Sequence, residues 1–124
     1  MLVGFENHGD ICVLRLEGRF ATGQDALYLH DKAEELKNSG FTKVLVDFAG
    51  VDYVDSTGIG FVIGIYTSVK KSPQGEFALV NPNRRVREVL ELTRLAQIIQ
   101  TYPTEEAALR ALSAGGQTSA SQAS

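Results

Sequence analysis

Asp55, Ser56 and Thr57 stand side by side directly before an apolar run, and their side chains could carry chemistry. Each has a side-chain oxygen of the kind that accepts the free backbone N–H groups in the first turn of a helix. The two hydroxyls are also phosphoryl acceptors by type, and a phosphate there would meet the positive end of a helix dipole. The pattern is therefore compatible with an ordinary helix cap and with a phosphorylation site, and by itself it favours the cap.

The residues that follow this cluster predict a helix with two apolar sides. The predicted buried face consists of residues that recur at helical spacing, namely Ile59, Val62, Ile63 and Tyr66. Phe61 and Ile65 fall roughly opposite that face, so we expect their side chains to be exposed. An exposed apolar face beside a hydroxyl cluster indicates a contact surface for a partner.

Other kinds of chemical site find less support in the residue pattern. Asp47, Asp52 and Asp55 could form a magnesium or aspartyl-phosphate site, but no lysine stands in a companion position, and capping or turn formation is the favoured role. Neither GxxxxGK[ST] nor GxGxxG occurs, which excludes Walker and Rossmann nucleotide enzymes at the level of motif. His8 and His30 are isolated from each other and from any nucleophile, so the sequence predicts no catalytic dyad.

The elements that must position the cluster alternate between strand and helix patterns. Residues 43–48 are almost all apolar and predict a central strand that leads to the cluster. Two short alternating runs around a turn composition predict an N-terminal hairpin. In chain order we predict strands over 2–7 and 11–17, a helix over 24–38, the strand over 43–48, the helix that begins at 55–57, a strand over 77–80, a helix that starts at 81–83, an apolar run over 95–100 that favours a strand, and a helix from Pro103 through Leu112.

This order of elements predicts an α/β fold, a mixed β-sheet of four to five strands with about four α-helices packed on it. We expect residues 1–112 to form one domain. From Ser113 onward the chain contains only Ser, Ala, Gly, Gln and Thr. Such residues offer little apolar surface to offset the entropy of ordering, so residues 113–124 are predicted to be a disordered tail.

Composition and charge exclude several classes of partner. The 124-residue chain has a net charge of −3, which gives no general electrostatic case for nucleic acid or an anionic membrane. The basic cluster of Arg84, Arg85 and Arg87 is interpreted as a solvated helix face. Cys12 is the single cysteine and is typical of a small buried residue in a reducing compartment. No signal-peptide pattern and no stretch of 18 apolar residues occurs, so we expect a cytoplasmic protein.

The whole pattern resembles the STAS domain of bacterial anti-sigma factor antagonists over about residues 3–112. The likeness rests on Val46-Asp47-Phe48, on Val51-Asp52-Tyr53-Val54-Asp55-Ser56-Thr57-Gly58-Ile59-Gly60, on Ala78-Leu79-Val80-Asn81-Pro82, and on the spacing from there through Leu90 to Ile98-Ile99. Asp-Ser-Thr-Gly is a short motif, and its position between this strand and this helix makes it specific.

The resemblance implies a non-catalytic protein that switches between partners. In that family the first hydroxyl residue after the aspartate is phosphorylated by a serine kinase that is also the anti-sigma factor, and here that residue is Ser56. The unphosphorylated form binds the anti-sigma factor and frees sigma, and the phosphorylated form cannot bind. The expected partner-binding residues are Asp55, Ser56, Thr57, Gly58, Ile59, Phe61 and Ile65.

One segment departs from the family pattern. Many members carry an acidic pair, Gly-Glu-x-Asp, just after the second strand, where this chain has Gly18-Arg19-Phe20-Ala21. We therefore expect the contact with the kinase to differ from that of the family.

A second use of the same fold stays open at this level, namely a STAS interaction module of a signalling scaffold or of a lipid-transport complex. With either use we expect no cofactor and no metal, and neither direct nucleic-acid binding nor membrane insertion. A weak homodimer is a further expectation.

Overall fold

The computed structural model describes residues 2–20 and 26–121 of the chain. In chain order they form β1 (Leu2–His8), β2 (Ile11–Phe20), α1 (Ala26–Ser39), β3 (Lys43–Val54), α2 (Ser56–Lys70), β4 (Glu76–Val80), α3 (Arg84–Leu92), a 3-10 turn (Leu95–Gln97), β5 (Gln100–Tyr102) and α4 (Glu105–Ser121). None of the described helices is both long enough and apolar enough to span a bilayer.

The five strands form one mixed sheet in the order β1-β2-β3-β4-β5. β1 runs antiparallel to β2, and each later neighbouring pair is parallel. The hairpin closes through a two-residue turn in which Gly9 has a φ of 66°, the left-handed conformation that such a turn requires. The predicted fold class and the predicted N-terminal hairpin are both confirmed.

The sheet has a larger core on one face and a smaller core on the other. Helices α1, α2 and α3 cover the larger core, into which Val44 and Val46 of β3 point. Helix α4 covers the smaller one, which includes Leu45 and Ala108. Cys12 is buried in the larger core, and burial raises the pKa of its thiol, as expected for an unreactive structural cysteine. Both faces of β3 are covered, which explains its continuous apolar sequence.

Strand β3 is longer than the sequence predicts, because it continues past residue 48 to Val54. At two places its register against β2 advances by one residue more than β2 does, which marks bulges. Gly50 allows this close approach, since a Cβ at that position would lie 2.9 Å from Glu17 Cγ and 3.0 Å from the Leu16 carbonyl oxygen. The segment around Gly50 is therefore the bulged part of strand β3.

The apolar run over residues 95–100 is not the strand that its composition favours. Arg94 has a φ of 65°, and the chain then forms one 3-10 turn over Leu95–Gln97 before β5 begins at Gln100. Leu95 and Ile99 are both buried, whereas Ile98 is exposed. The apolar residues of this run belong to a single helical turn that packs on the core. Over so few residues, the apolar pattern of a helical turn cannot be distinguished from that of a buried strand.

Helix α4 extends past Leu112, where the sequence predicts its end, and reaches Ser121. The structure thus gives residues 113–121 a helical backbone where the composition predicts disorder. Once a helix has started, each further residue adds one hydrogen bond, and this continuation extends α4 although Gly115 and Gly116 disfavour helix. Residues 122–124 of the predicted tail and residues 24–25 of the predicted first helix lie outside the described residues.

Helix α1 covers part of the outer edge of the sheet. The backbone N–H of Val3 in β1 donates a hydrogen bond of 3.0 Å to the hydroxyl of Tyr28. An edge strand otherwise leaves such groups unpaired. This contact ties α1 to the edge strand of the sheet.

Candidate functional site

Asp55 is the residue that caps helix α2. Its backbone is extended, with φ −131° and ψ −157°, and its Oδ1 accepts a hydrogen bond of 2.9 Å from the Thr57 N–H. Its own N–H donates to the Phe20 carbonyl oxygen at 3.0 Å, and its carbonyl oxygen accepts from the Ile59 N–H at 2.9 Å. The predicted capping role is confirmed for Asp55, which leaves the capping function independent of Ser56.

Ser56 is the first residue of α2, and it is the exposed member of the Asp55–Ser56–Thr57 cluster. Asp55 and Thr57 are partly buried. The first turn of a helix carries N–H groups without intrahelical partners and a positive dipole end. A phosphoryl group on Ser56 would therefore be accessible to an enzyme and electrostatically tolerated by the helix.

Gly58 presses the first turn of α2 against the ends of two strands. A Cβ at this position would lie 2.4 Å from Val54 Cγ2 and 2.9 Å from the Phe20 carbonyl oxygen, and no side chain fits without a shift. Gly58 and Ile59 are both buried, and the partner-binding role expected of them stays a prediction. Their role at this site is to hold the helix start in place.

The prediction that Phe61 and Ile65 are exposed is wrong. Phe61 is 7% exposed and Ile65 is 1% exposed, and both belong to the larger core. Ile65 is on the side of α2 that faces α1, and it lines a small cavity of about 120 Å³ between the two helices. Because α2 packs on α1 as well as on the sheet, its buried arc is wider than the single stripe that periodicity indicates.

The exposed face of α2 is built from small and polar residues with one isoleucine. Ile63, predicted as buried, is 39% exposed. Tyr66, also predicted as buried, is partly buried and packs edge to face on Phe77, with ring centroids 5.6 Å apart. The exposed residues of α2 that follow Ser56 are Gly60, Ile63, Gly64, Thr67 and Lys70.

Two arginines lie on one tyrosine ring close to the start of α2. The Cζ of Arg19 is 4.2 Å from the ring centroid of Tyr53, and the Cζ of Arg85 is 5.8 Å from it. Arg19 and Tyr53 are register partners at the ends of β2 and β3. We call this group the Tyr53 stack. The sequence places Arg85 on a solvated helix face and gives no signal that it meets Arg19.

The start of α3 lies at the same edge of the sheet as the start of α2. Asn83 caps α3, with its Oδ1 accepting a hydrogen bond of 2.9 Å from the Val86 N–H. Its Nδ2 donates a 2.9 Å hydrogen bond to the Val51 carbonyl oxygen of β3. The position of Arg85, two residues later, is thereby fixed relative to β3.

Among the three aspartates that could form a metal or phosphoacceptor site, Asp47 has a structural role. Asp47 is 7% exposed, and its Oδ2 accepts a hydrogen bond of 2.7 Å from Arg15 Nη1. Its Oδ1 accepts from the Ala49 N–H at 2.9 Å and from Asn81 Nδ2 at 3.1 Å. With both oxygens engaged, this carboxylate is a structural anchor.

Arg15 connects Asp47 to two further carboxylates. Its guanidinium donates to both carboxylate oxygens of Glu105, at 2.6 and 2.9 Å, and to Glu6 at 2.5 Å. The hydrogen bonds to Glu105 and Glu6 raise the pKa of Arg15, and the hydrogen bond from Arg15 lowers the pKa of Glu6. Glu6, His8 and Glu105 have ligand-type atoms within 4.8 Å of one another, but the arginine already supplies the positive charge there.

Comparison with protein families identifies one domain over most of the chain. The family model of the STAS domain matches residues 4–108. A Thermotoga neapolitana protein named provisionally as an anti-sigma factor antagonist is 41% identical over 76 residues, which cover 61% of this chain and 66% of that protein. A similarly named Thermotoga maritima protein is 38% identical over 57% of this chain and 62% of its own length, so the matched segment spans somewhat under two thirds of these relatives.

Solved structures of similar proteins have the same fold. The crystal structure of a Thermotoga maritima protein, again provisionally named as an anti-sigma factor antagonist, has a TM-score of 0.77 at 29% identity, covering 87% of this chain and 92% of that one. The phosphorylated form of the Bacillus cell fate determinant SpoIIAA has a TM-score of 0.67 at 23% identity, covering 88% and 98% of the two chains. The second likeness shows a shared fold alone.

Proposed function

The chain belongs to the STAS domain family, and from this premise we propose that it is an anti-sigma factor antagonist that acts by partner switching. The unphosphorylated protein binds an anti-sigma factor that is also a serine kinase, and phosphorylation of Ser56 releases it. The observation that carries the proposal is the exposure of Ser56 at the first position of a helix whose cap is supplied by Asp55. The names of the Thermotoga relatives support the same class of function.

The chemistry of the switch is a change of charge at a rigid surface. A phosphate on Ser56 adds about −1.5 to −2 charges and three acceptor oxygens. The fold tolerates this anion because the helix dipole favours it and because the Asp55 cap remains in place. A partner docked over the helix start would instead meet new negative charge and bulk beside Asp55, which weakens the contact.

The proposed contact surface is the exposed face of α2 together with its capped start. Asp55, Ser56 and Thr57 remain partner-binding residues in this proposal, whereas Phe61 and Ile65 are replaced by Ile63 as the apolar contact. Gly60 and Gly64 have no side chains, so a partner can approach the helix backbone closely. The same proposal implies a cytoplasmic protein with no catalytic activity of its own.

The test uses protein carrying phosphoserine at position 56, incorporated during translation, beside unmodified protein. Each is used to bind the anti-sigma partner from a lysate of the source organism, and the affinity of the recovered partner is then measured. We expect phosphorylation to weaken binding at least tenfold, about 1.4 kcal/mol, while the melting temperature changes by only a few degrees.

Phosphate mapping by mass spectrometry provides the second arm. Ser56→Ala should abolish phosphorylation by the partner kinase, whereas Thr67→Ala, an exposed hydroxyl farther along the same helix, should leave it unchanged. A phosphate that maps elsewhere, or a phosphoserine protein that binds as tightly as the unmodified one, would contradict partner switching for this chain.

A further inference from the structure

We propose that the Tyr53 stack is the recognition site for a carboxylate-bearing segment of the protein partner. Arg19 and Arg85 are the two groups that would bind its Asp or Glu side chains, and Tyr53 holds them in place. The inference rests on the proposed function, in that the partner is the protein that docks at the start of α2.

Two positive charges lie on the Tyr53 ring without a counter-ion from the described residues. Both guanidinium groups lie within 6 Å of the Tyr53 centroid, and neither forms an ion pair with a carboxylate in the described part of the chain. The neighbouring Arg84 differs, because its Nε lies 3.5 Å from Glu88 on the same helix. Arg19 and Arg85 therefore have donors available for an external anion.

The Tyr53 stack is anchored by the fold before any partner binds. Tyr53 and Arg19 face each other across the β2–β3 pairing, and Asn83 fixes the start of α3 to β3 at Val51. The aromatic ring restrains both arginines through cation–π contacts. A planar guanidinium group can donate two parallel hydrogen bonds to one carboxylate. When the group is already held in position, it loses less side-chain entropy on binding than a mobile arginine does.

The Tyr53 stack is connected through Phe20 to the start of α2, where Ser56 lies. Arg19 precedes Phe20, whose carbonyl oxygen accepts the Asp55 N–H, and Gly58 packs on the same Phe20. The stack and the start of α2 thus form one rigid corner of the molecule. A phosphate on Ser56 would place negative charge next to the bound carboxylates and would attract the same guanidinium groups, so both effects favour release.

Nucleic acid is the less favoured occupant of this site. Two arginines on a chain of net charge −3 would not offset the repulsion between nucleic-acid phosphates and the remaining acidic surface. An acidic protein segment needs positive charge only where it touches the surface, and the Tyr53 stack supplies that charge.

The test is an NMR titration of 15N-labelled protein with acetyl-tetraglutamate amide, with the tetraglutamine peptide as the uncharged control. We expect amide shifts centred on Arg19, Tyr53, Arg85 and the start of α2, only with the acidic peptide and only at low salt. Arg19→Gln and Arg85→Gln should each weaken binding at least threefold. Arg84→Gln, which removes the same charge one residue away, should change it by less than twofold.

Several outcomes would overturn the site. Shifts centred elsewhere, an equal loss in Arg84→Gln, or tighter binding of a 12-nucleotide single strand than of the peptide would each do so. Thermal unfolding of every variant confirms that the fold is intact.

The same variants separate this inference from the switch itself. If phosphoserine at position 56 releases the native partner while Arg19→Glu and Arg85→Glu bind it as tightly as the wild type, the switch stands and the stack is not the recognition site. If the two Glu variants lose at least tenfold affinity for that partner while phosphorylation releases nothing, the recognition site stands and the switch fails.

Discussion

Phe61 and Ile65 show that an apolar residue opposite a buried stripe can be buried as well. Periodicity correctly places Ile59 in the core, but it contains no information about the second neighbour, α1, that covers the other side of the helix. The residue that remains exposed, Ile63, is one that the stripe assigns to the core.

This assignment predicts a clear difference between substitutions. Phe61→Ala and Ile65→Ala should each lower the free energy of unfolding by about 2–5 kcal/mol, because each removes buried side-chain volume from a packed core. Ile63→Ala should cost less than about 1 kcal/mol, since much of its surface already meets water. Urea denaturation measures all three.

The matched binding measurement uses the variants that remain folded. Ile63→Ala should weaken partner binding more than Phe61→Ala does at a temperature where both are native. Full stability of Phe61→Ala and Ile65→Ala with lost binding would instead restore the original prediction of an exposed Phe61/Ile65 surface.

Ser56 and the Tyr53 stack differ in how far a sequence can reveal them. Ser56 lies inside a contiguous motif, so a short stretch of sequence shows both its chemistry and its resemblance to the family pattern. Arg19, Tyr53 and Arg85 come from β2, β3 and α3, and no local spacing relates them. Their proximity depends on strand register and on the direction of α3, which only the folded sheet defines.

Helix α2 as an element is positioned by one of its glycines, Gly58, as well as by its apolar residues. Gly58 and Gly60 are two residues apart, yet Gly58 meets strand ends, whereas a Cβ added to Gly60 would have no atom of the described residues within 4 Å. Gly58 is needed for the close packing of the helix start, whereas Gly60 lies on the exposed face of the helix.

We therefore expect opposite effects from the same substitution. Gly60→Ala should raise the free energy of unfolding by about 0.5–1 kcal/mol, because alanine favours helix and its Cβ would touch none of the described residues. Gly58→Ala should lower it by about 1–3 kcal/mol through overpacking against Phe20 and Val54. Thermal and urea unfolding would show the pair of effects, and a stabilised Gly58→Ala would refute the close packing of the helix start.

At the level of elements, the sequence predicts those with a clear period and sharp boundaries. The hairpin, the helix after Asn83 and the strand before Asn81 agree with their patterns. β5 does not, because three residues paired to one neighbour carry almost no sequence signal and the apolar run before them belongs to a 3-10 turn. The bulged end of β3 cannot be predicted from the sequence either, because the bulge near Gly50 is defined by the pairing of β3 with β2.

Across the whole molecule, Arg15 joins four elements at one point. It contacts Glu6 in β1, Asp47 in β3 and Glu105 in α4 from its own place in β2. Because Asp47 is buried, loss of the arginine leaves a carboxylate without its main positive partner.

Arg15→Gln should consequently lower the free energy of unfolding at pH 7 by about 1–3 kcal/mol. In the wild type the pKa of Glu6 is lowered by Arg15, so its stabilising contribution is present above its unfolded-state pKa and is lost as the pH falls through the lower folded-state value. Stability should therefore decrease below about pH 5, and this part of the decrease should be smaller in Arg15→Gln. Urea unfolding from pH 7 to pH 3 measures it, and Arg110→Gln, on the exposed side of α4, is the control. An identical pH dependence in Arg15→Gln and wild type would show that Arg15 and Glu6 are not coupled.

The hydrogen bond from Val3 to Tyr28 has a consequence for how copies of the chain meet one another in a crowded solution. Strand β1 is seven residues long, contains no proline or lysine, and bears the exposed side chains of Leu2 and Phe5, which are features of a strand that recruits other strands into aggregates. By occupying one of the outward N–H groups, the tyrosine hydroxyl removes a point at which an incoming strand could add to the sheet. The helix that packs on the core thus also limits growth of the sheet into a fibril.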